Sequence, residues 1–144
     1  MRNITKTLVA GFVLVAGIAF AKEGVQDATV KARMDLMGTI GMNVKMLGQM
    51  AGGEVAFDAA AAEAAKAAII AASADIGAKF EAPATDPVSV AKPEIWTSWD
   101  DFLVKAGALN AAATTLDATS AAGIGAGMGA IGGACKDCHT TYRS

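Results

Sequence analysis

Cys135-Lys136-Asp137-Cys138-His139-Thr140-Thr141-Tyr142-Arg143 is the stretch around which the rest of this 144-residue chain can be read. Two thiols two residues apart precede an imidazole, the c-type haem attachment signature. The thiols add across the two vinyl groups of a haem to give thioethers, and the following imidazole becomes an axial ligand to the iron. In a helix Cys135, Cys138 and His139 stand at i, i+3 and i+4 and share one face. Upstream, Ile124, Met128, Ile131, Cys135, Cys138 and Tyr142 follow at alternating gaps of four and three, so the motif continues the apolar seam of one long helix.

A haem-free dithiol is the competing reading of the same residues. A thioredoxin-like site requires strands alternating with helices, and the chain has no β-rich segment. A structural zinc site requires four ligands, whereas the chain holds two cysteines and one histidine. One haem c accounts for both cysteines.

The other helices carry comparable seams. From Val25 to Ala51 the positions Val30, Met34, Met37, Gly41, Val44, Gly48 and Ala51 alternate by four and three until Gly52-Gly53 stops the helix. Asp58 is the expected N-cap of an alanine-dominated helix running to about Phe80, with Ile69, Ile76 and Phe80 on one side. Pro83, Pro87 and Pro93 mark the one long loop. A third helix is expected from Thr97 or Ser98, with Thr97 and Asp100 in capping-box spacing and Trp99, Phe102, Ala106, Leu109, Ala113 and Leu116 as its seam. Four such seams predict an all-α, antiparallel four-helix bundle with covalently bound haem.

The fourth helix has a conflict within it. Gly123, Gly125, Gly127, Gly129, Gly132 and Gly133 lie just before or inside it, and each interior glycine costs roughly 0.5–1 kcal/mol relative to alanine. Residues 120–133 therefore also read as a low-complexity linker. The intact seam favours a helix whose glycines let the backbone pass close to a flat macrocycle and whose order depends on haem.

At the opposite end, Arg2 and Lys6, the apolar stretch Leu8 to Phe20 and the small-residue pattern Ala19-Phe20-Ala21 read as a cleaved secretory signal. The stretch is short for a retained membrane anchor. Residues 1–21 are the expected signal and 22–144 a single haem domain, beginning at Lys22 and exported to the periplasm. Removing Arg2 and Lys6 from the 12 basic residues leaves 10 against 14 acidic ones, a net charge of −4. That balance argues against a nucleic-acid partner. A domain of this size buries one core, and with few large apolar residues left, haem would supply much of the interior.

His139 is the only histidine, which rules out bis-histidine ligation within one chain. Met34, Met37, Met42, Met46 and Met50 all lie in the first helix and are candidates for the opposite axial face; ordinary core packing is the alternative. Met128 is excluded, because eleven helical residues place it about 16 Å along the axis from His139.

These residues resemble the cytochromes c-prime, the class II c-type cytochromes. The resemblance rests on Val30-Lys31-Ala32-Arg33, Gly53-Glu54, Phe57-Asp58-Ala59-Ala60, Lys92-Pro93-Glu94-Ile95-Trp96, Gly129, Gly132 and the terminal C-x-x-C-H-x-x-Y-R, and it covers essentially all of the chain after the signal. It implies a left-handed bundle, usually a homodimer paired through the first two helices, with iron that is commonly five-coordinate and high-spin. It implies further that an apolar side chain of the first helix, by alignment Met37, closes the face opposite His139, and that in low-spin relatives a Met there is itself the ligand. Arg33 and Met34 match positions near the haem edge, where a guanidinium can pair with a propionate, with a solvated helix arginine as the alternative. Arg143 matches an arginine on the proximal side, with a frayed terminus as the alternative. The chain departs from the pattern at Val90, where relatives can place an acidic haem contact, and at Gly77, where a tryptophan is frequent.

Three functions follow as expectations. The first is a haem protein that binds a small diatomic gas, NO or CO, and cycles between ferric and ferrous states. The second is an electron carrier with Met37 on the iron, exchanging electrons with redox proteins; the third is a haem-free thiol redox protein. An enzyme is not expected, because no acid–base pair accompanies the motif. Leu36, Ile40, Leu47 and Met50 form a second apolar stripe of the first helix, expected either to pair two copies or to widen the core face.

Overall fold

A computed structural model describes residues 24–144; the predicted signal segment and its cleavage site lie outside them. The first helix, α1 (Ala28–Ala51), begins where the Asp27 carboxylate accepts the backbone N–H of Val30 at 2.9 Å. That cap sets the start three residues later than the expected Val25. Gly52 and Gly53 end the helix as expected, Gly53 at φ +74°, a left-handed conformation that glycine adopts without steric cost. Asp58 caps α2 (Ala59–Ala74), accepting from Ala61 N at 2.8 Å.

The second helix does not run unbroken to Phe80. Asp75 donates its N–H to Ala72 O, a tightened last turn, and a short α3 (Ile76–Phe80) follows. Ile69, Ile76 and Phe80 are nevertheless all buried. The proline-containing loop of residues 81–93 leads to another short helix, α4 (Glu94–Thr97), and then to α5 (Trp99–Thr115). The expected capping box is not formed: Thr97 belongs to α4 and donates its hydroxyl back to Glu94 O at 3.3 Å, and Ser98 caps α5 without a side-chain bond. Asp100 and Asp101 in the first turn of α5 oppose the positive end of the helix dipole instead.

Ser120 caps α6 (Ala121–Tyr142), accepting from Gly123 N at 3.0 Å, so residues 120–133 are helix and not linker. The long helices pack α1 on α2, α2 on α5, α5 on α6 and α6 on α1, the closed ring of a four-helix bundle. Asn110 of α5 ties this ring to α2, donating to Ile70 O and Ser73 Oγ, both at 2.9 Å.

The glycines of α6 serve helix packing. A Cβ at Gly127 would overlap the Leu116 side chain, and one at Gly123 would overlap the Asp117 carboxylate. Gly129, Gly132 and Gly133 face open space. None of them lines the large cavity described below, which is bordered by two glycines of α1, Gly38 and Gly41. The expectation that the α6 glycines make room for a macrocycle is therefore corrected.

The stripe Leu36, Ile40, Leu47 and Met50 is not a free surface. Ile40, Leu47 and Met50 are at most 4 % exposed, and Leu36 packs partly buried against the same core. Because α1 touches both α2 and α6, it buries a face wider than one seam, and this stripe is half of it. Of the predicted seam itself, Val30, Met34, Met37, Gly41 and Val44 all border the cavity, and Val30 is buried there.

Candidate functional site

Between α1, α5 and α6 lies a cavity of about 530 Å³. Arg33, Met34 and Met37 reach it from α1, and Cys135, Cys138, His139 and Arg143 from the other side, so all seven candidate residues line one space. Met128 stands elsewhere, against Gly48. The remaining lining is mostly apolar, including Ile40, Val44, Phe102 and Leu109.

The attachment motif occupies the last turns of α6. Both cysteines are free thiols and half-buried, and burial pushes both thiols up, opposed at Cys138 by the nearby Lys105 ammonium. His139 stands at the cavity rim, where partial burial and then the Arg143 guanidinium lower it, favouring the neutral imidazole that a metal requires. Tyr142 anchors this end of α6 in the core. Its ring meets Phe102 edge-on at 5.4 Å, and its hydroxyl donates to Asp101 Oδ2 at 2.5 Å. The hydrogen bond to Asp101 raises the Tyr142 phenol to about 12.

Arg33 borders the cavity, as the haem-edge reading requires, but it is also tied into the protein itself. It is 3 % exposed, so it is not a solvated arginine. Its guanidinium lies over the rings of Phe80 at 5.0 Å and Trp96 at 5.2 Å. Nε donates to Lys79 O at 3.0 Å, Nη1 to Ala84 O at 3.4 Å and Nη2 to Ala82 O. These bonds make Arg33 first a clasp on the loop, with a propionate contact left to its remaining N–H groups.

The loop is held at its far end too. Asp86 Oδ2 accepts Gln26 N at 2.8 Å and Asp27 N at 2.9 Å, while Oδ1 accepts Val88 N at 3.0 Å; these backbone bonds hold its carboxyl below the usual range. Ala91 forms an antiparallel bridge with Arg143, flanked by Lys92 N to Tyr142 O at 3.0 Å and Ser144 N to Val90 O at 2.9 Å. Residues 88–91 thus form one wall of the cavity. Arg143 is not frayed, and it lines the cavity together with His139. It is extended at φ −123°, past the end of α6, and the bridge pins it. Val90 presents an apolar side chain to the cavity. Gly77 lies outside it, beneath Leu103.

The sequence profile of the cytochrome c' family matches residues 28–143. The chain belongs to the cytochrome c' family. It is 33 % identical to cytochrome c-556 of Agrobacterium fabrum, across 99 % of this chain and 95 % of that protein. The solved cytochrome c' of Rhodopseudomonas palustris superposes with a TM-score of 0.73 at 31 % identity, covering 83 % of this chain and 98 % of that one. A nitric oxide complex of a point mutant of cytochrome c prime from Alcaligenes xylosoxidans superposes with a TM-score of 0.71 at 28 % identity, covering 81 % of this chain and 94 % of that one.

Cytochromes c' carry one covalently bound c-type haem, and the residues here suit it: two free thiols and a neutral imidazole on one helical face, turned to an apolar cavity. The haem-free thiol reading falls with that membership. Bound there, haem supplies an iron that takes axial ligands and exchanges single electrons. Cys135 and Cys138 would hold the macrocycle, His139 would ligate the iron, and Met34 and Met37 would border its other side. Lys105, Phe80 and the 88–91 wall also line the cavity, and the sequence reading did not include them in the site. Only the aromatic and proline content of Phe80 to Pro93 hinted at the wall.

Among the described residues, no helix is long and apolar enough to cross a membrane.

Proposed function

We propose that the protein is a periplasmic haem protein whose iron, held by His139, is five-coordinate and high-spin, and which binds NO or CO at the opposite face and transfers electrons. The observation that carries this reading is the α1 wall of the cavity. Met34, Met37 and Val44 are apolar, and Gly38 and Gly41 place no side chain there. Apart from Arg33, whose guanidinium is bonded to the carbonyls of Lys79, Ala82 and Ala84, that wall offers no imidazole and no hydrogen-bond donor. It suits ligands that bind without donors, and the nitric oxide complex of the Alcaligenes relative is in line with it. We infer a binding and redox role and no enzyme activity.

A second reading has its own support. Met37 of α1 and His139 of α6 line the same cavity, and Met37 is unbranched and flexible, so its sulfur is a candidate sixth ligand in a low-spin electron carrier. Ferric and ferrous optical spectra, before and after CO, separate the two. A high-spin spectrum that shifts with CO supports gas binding. A low-spin ferric spectrum with a sulfur-to-iron charge-transfer band and no response to CO makes Met37 the ligand, and Met37→Leu would then turn the spectrum high-spin.

Pairing into a homodimer through α1 and α2 forms part of the same proposal. The face available for it carries the exposed Met42, Met46, Val55 and Phe57. Sedimentation equilibrium of wild type and Phe57→Glu checks it, with dissociation of the variant expected.

A further inference from the structure

Lys105 projects from α5 to the cavity wall that also holds Cys138, His139 and Tyr142. Its Nζ lies 2.6 Å from Asp137 Oδ2 and 4.0 Å from Asp101 Oδ2. Asp137 is the residue immediately before Cys138, inside the attachment motif. Asp101 is the carboxylate that accepts the Tyr142 hydroxyl. One amine therefore joins α5 to the turn carrying a thioether cysteine and the axial histidine, and shares its second partner with the anchor of that turn.

The charges are unevenly placed. The Lys105 side chain is 18 % exposed, against 66 % for Asp137 and 55 % for Asp101. Water and salt screen the two outward carboxylates more than the inward ammonium. Seen from the cavity, the ammonium is therefore the least screened charge of the triad.

We propose that Lys105 is a positioning residue that sets the redox balance of the haem iron: its ammonium, held by Asp137, favours the ferrous state, and the same bond fixes the turn of Cys138 and His139. One-electron reduction adds a negative charge to the centre, which a weakly screened cation on the cavity wall stabilises. The inference rests on covalent haem at Cys135 and Cys138 and is independent of whether Met37 ligates iron.

The test is a potentiometric titration of purified holoprotein: wild type, Lys105→Gln, Lys105→Arg and Asp137→Asn. Lys105→Gln is expected to lower the midpoint, reducing the ferrous-to-ferric ratio at a fixed potential by roughly 2- to 10-fold, where tenfold is about 59 mV for one electron. Asp137→Asn is expected to raise the midpoint by less, and Lys105→Arg to leave it near wild type. An unchanged or raised midpoint in Lys105→Gln overturns the proposal. So does a shift of the same sign in Lys105→Gln and Asp137→Asn, the mark of a merely loosened turn. Should Lys105→Gln not accumulate with haem, Asp137→Asn decides alone: a midpoint that does not rise refutes the electrostatic role. A wild type lacking covalent haem, seen on a denaturing gel stained for haem before any titration, would instead refute the reading of the site.

Discussion

From Leu47 to Ala51, α1 closes against its neighbours with Leu47 and Met50 buried, while from Val30 to Val44 the same helix borders a cavity of about 530 Å³. At the first end Leu47, Ile69, Ile124 and Ile131 are wholly buried among alanines, and small side chains let the backbones approach closely. At the second end large residues stand around the space: Phe80, Trp96, Phe102 and Tyr142, with a buried arginine clasping a loop. The difference shows two ways of completing one bundle. One end is closed by its own side chains; the other is shaped for a cofactor that supplies the missing apolar volume.

Removing the attachment chemistry should separate the two ends most clearly. Cys135→Ala/Cys138→Ala should abolish covalent haem, read as complete loss of haem staining on a denaturing gel. Amide hydrogen exchange should then rise across residues 134–142 while the amides around Leu47 and Ile69 stay protected; equal loss at both ends would mean that the bundle has no independent packed half. Next in size, Leu47→Ala should cost about 2–5 kcal/mol in urea unfolding, since it empties a fully buried site in the closed end. The ferric and ferrous spectra of that variant should stay those of wild type.

A finer cut uses two glycines of α6. Gly127→Ala drives a methyl into Leu116 and should destabilise by roughly 1–3 kcal/mol, whereas Gly129→Ala meets open space and should stabilise by about 0.5–1 kcal/mol. Chemical denaturation of both variants checks the signs, which packing alone makes opposite. The smallest effect belongs to Tyr142. Its folded phenol titrates at about 12 and an unfolded one at about 10. The stability it contributes is therefore complete below about pH 10 and is lost as pH rises through about 12. Tyr142→Phe should make melting temperatures flatter over that interval.

Much of the bundle's packing could be read from residue order. Phe102, Ala106, Leu109, Ala113 and Leu116 repeat at helical spacing and are buried at that spacing, and Asp58 caps where its position before an alanine run says it should. The attachment face was equally legible, because Cys135, Cys138 and His139 are local to one turn. What escaped is long-range. The partners of Arg33 are carbonyls of α3 and the following loop, 46 to 51 positions away, and a backbone carbonyl has no residue-type signature. Lys105 looked like any helix lysine until Asp137 met it from 32 residues on. The Leu36–Met50 stripe was ambiguous for a physical reason: periodicity identifies apolar faces but not how many neighbours a helix has, and α1 packs against α2, α3 and α6.

The chain's two tryptophans both stand beside the site. Trp99 stacks on cavity-lining Phe102 at 5.5 Å, and Trp96 donates Nε1 to Phe80 O at 2.7 Å beneath the Arg33 clasp. An excited indole passes its energy to a nearby haem instead of emitting light. Tryptophan emission of the loaded molecule is consequently expected to be low, and to rise when the haem is absent or when the clasped loop and α5 move away from it. The arrangement gives the protein an internal optical gauge, in which emission intensity reports how close the aromatic wall stands to the iron centre without any added label.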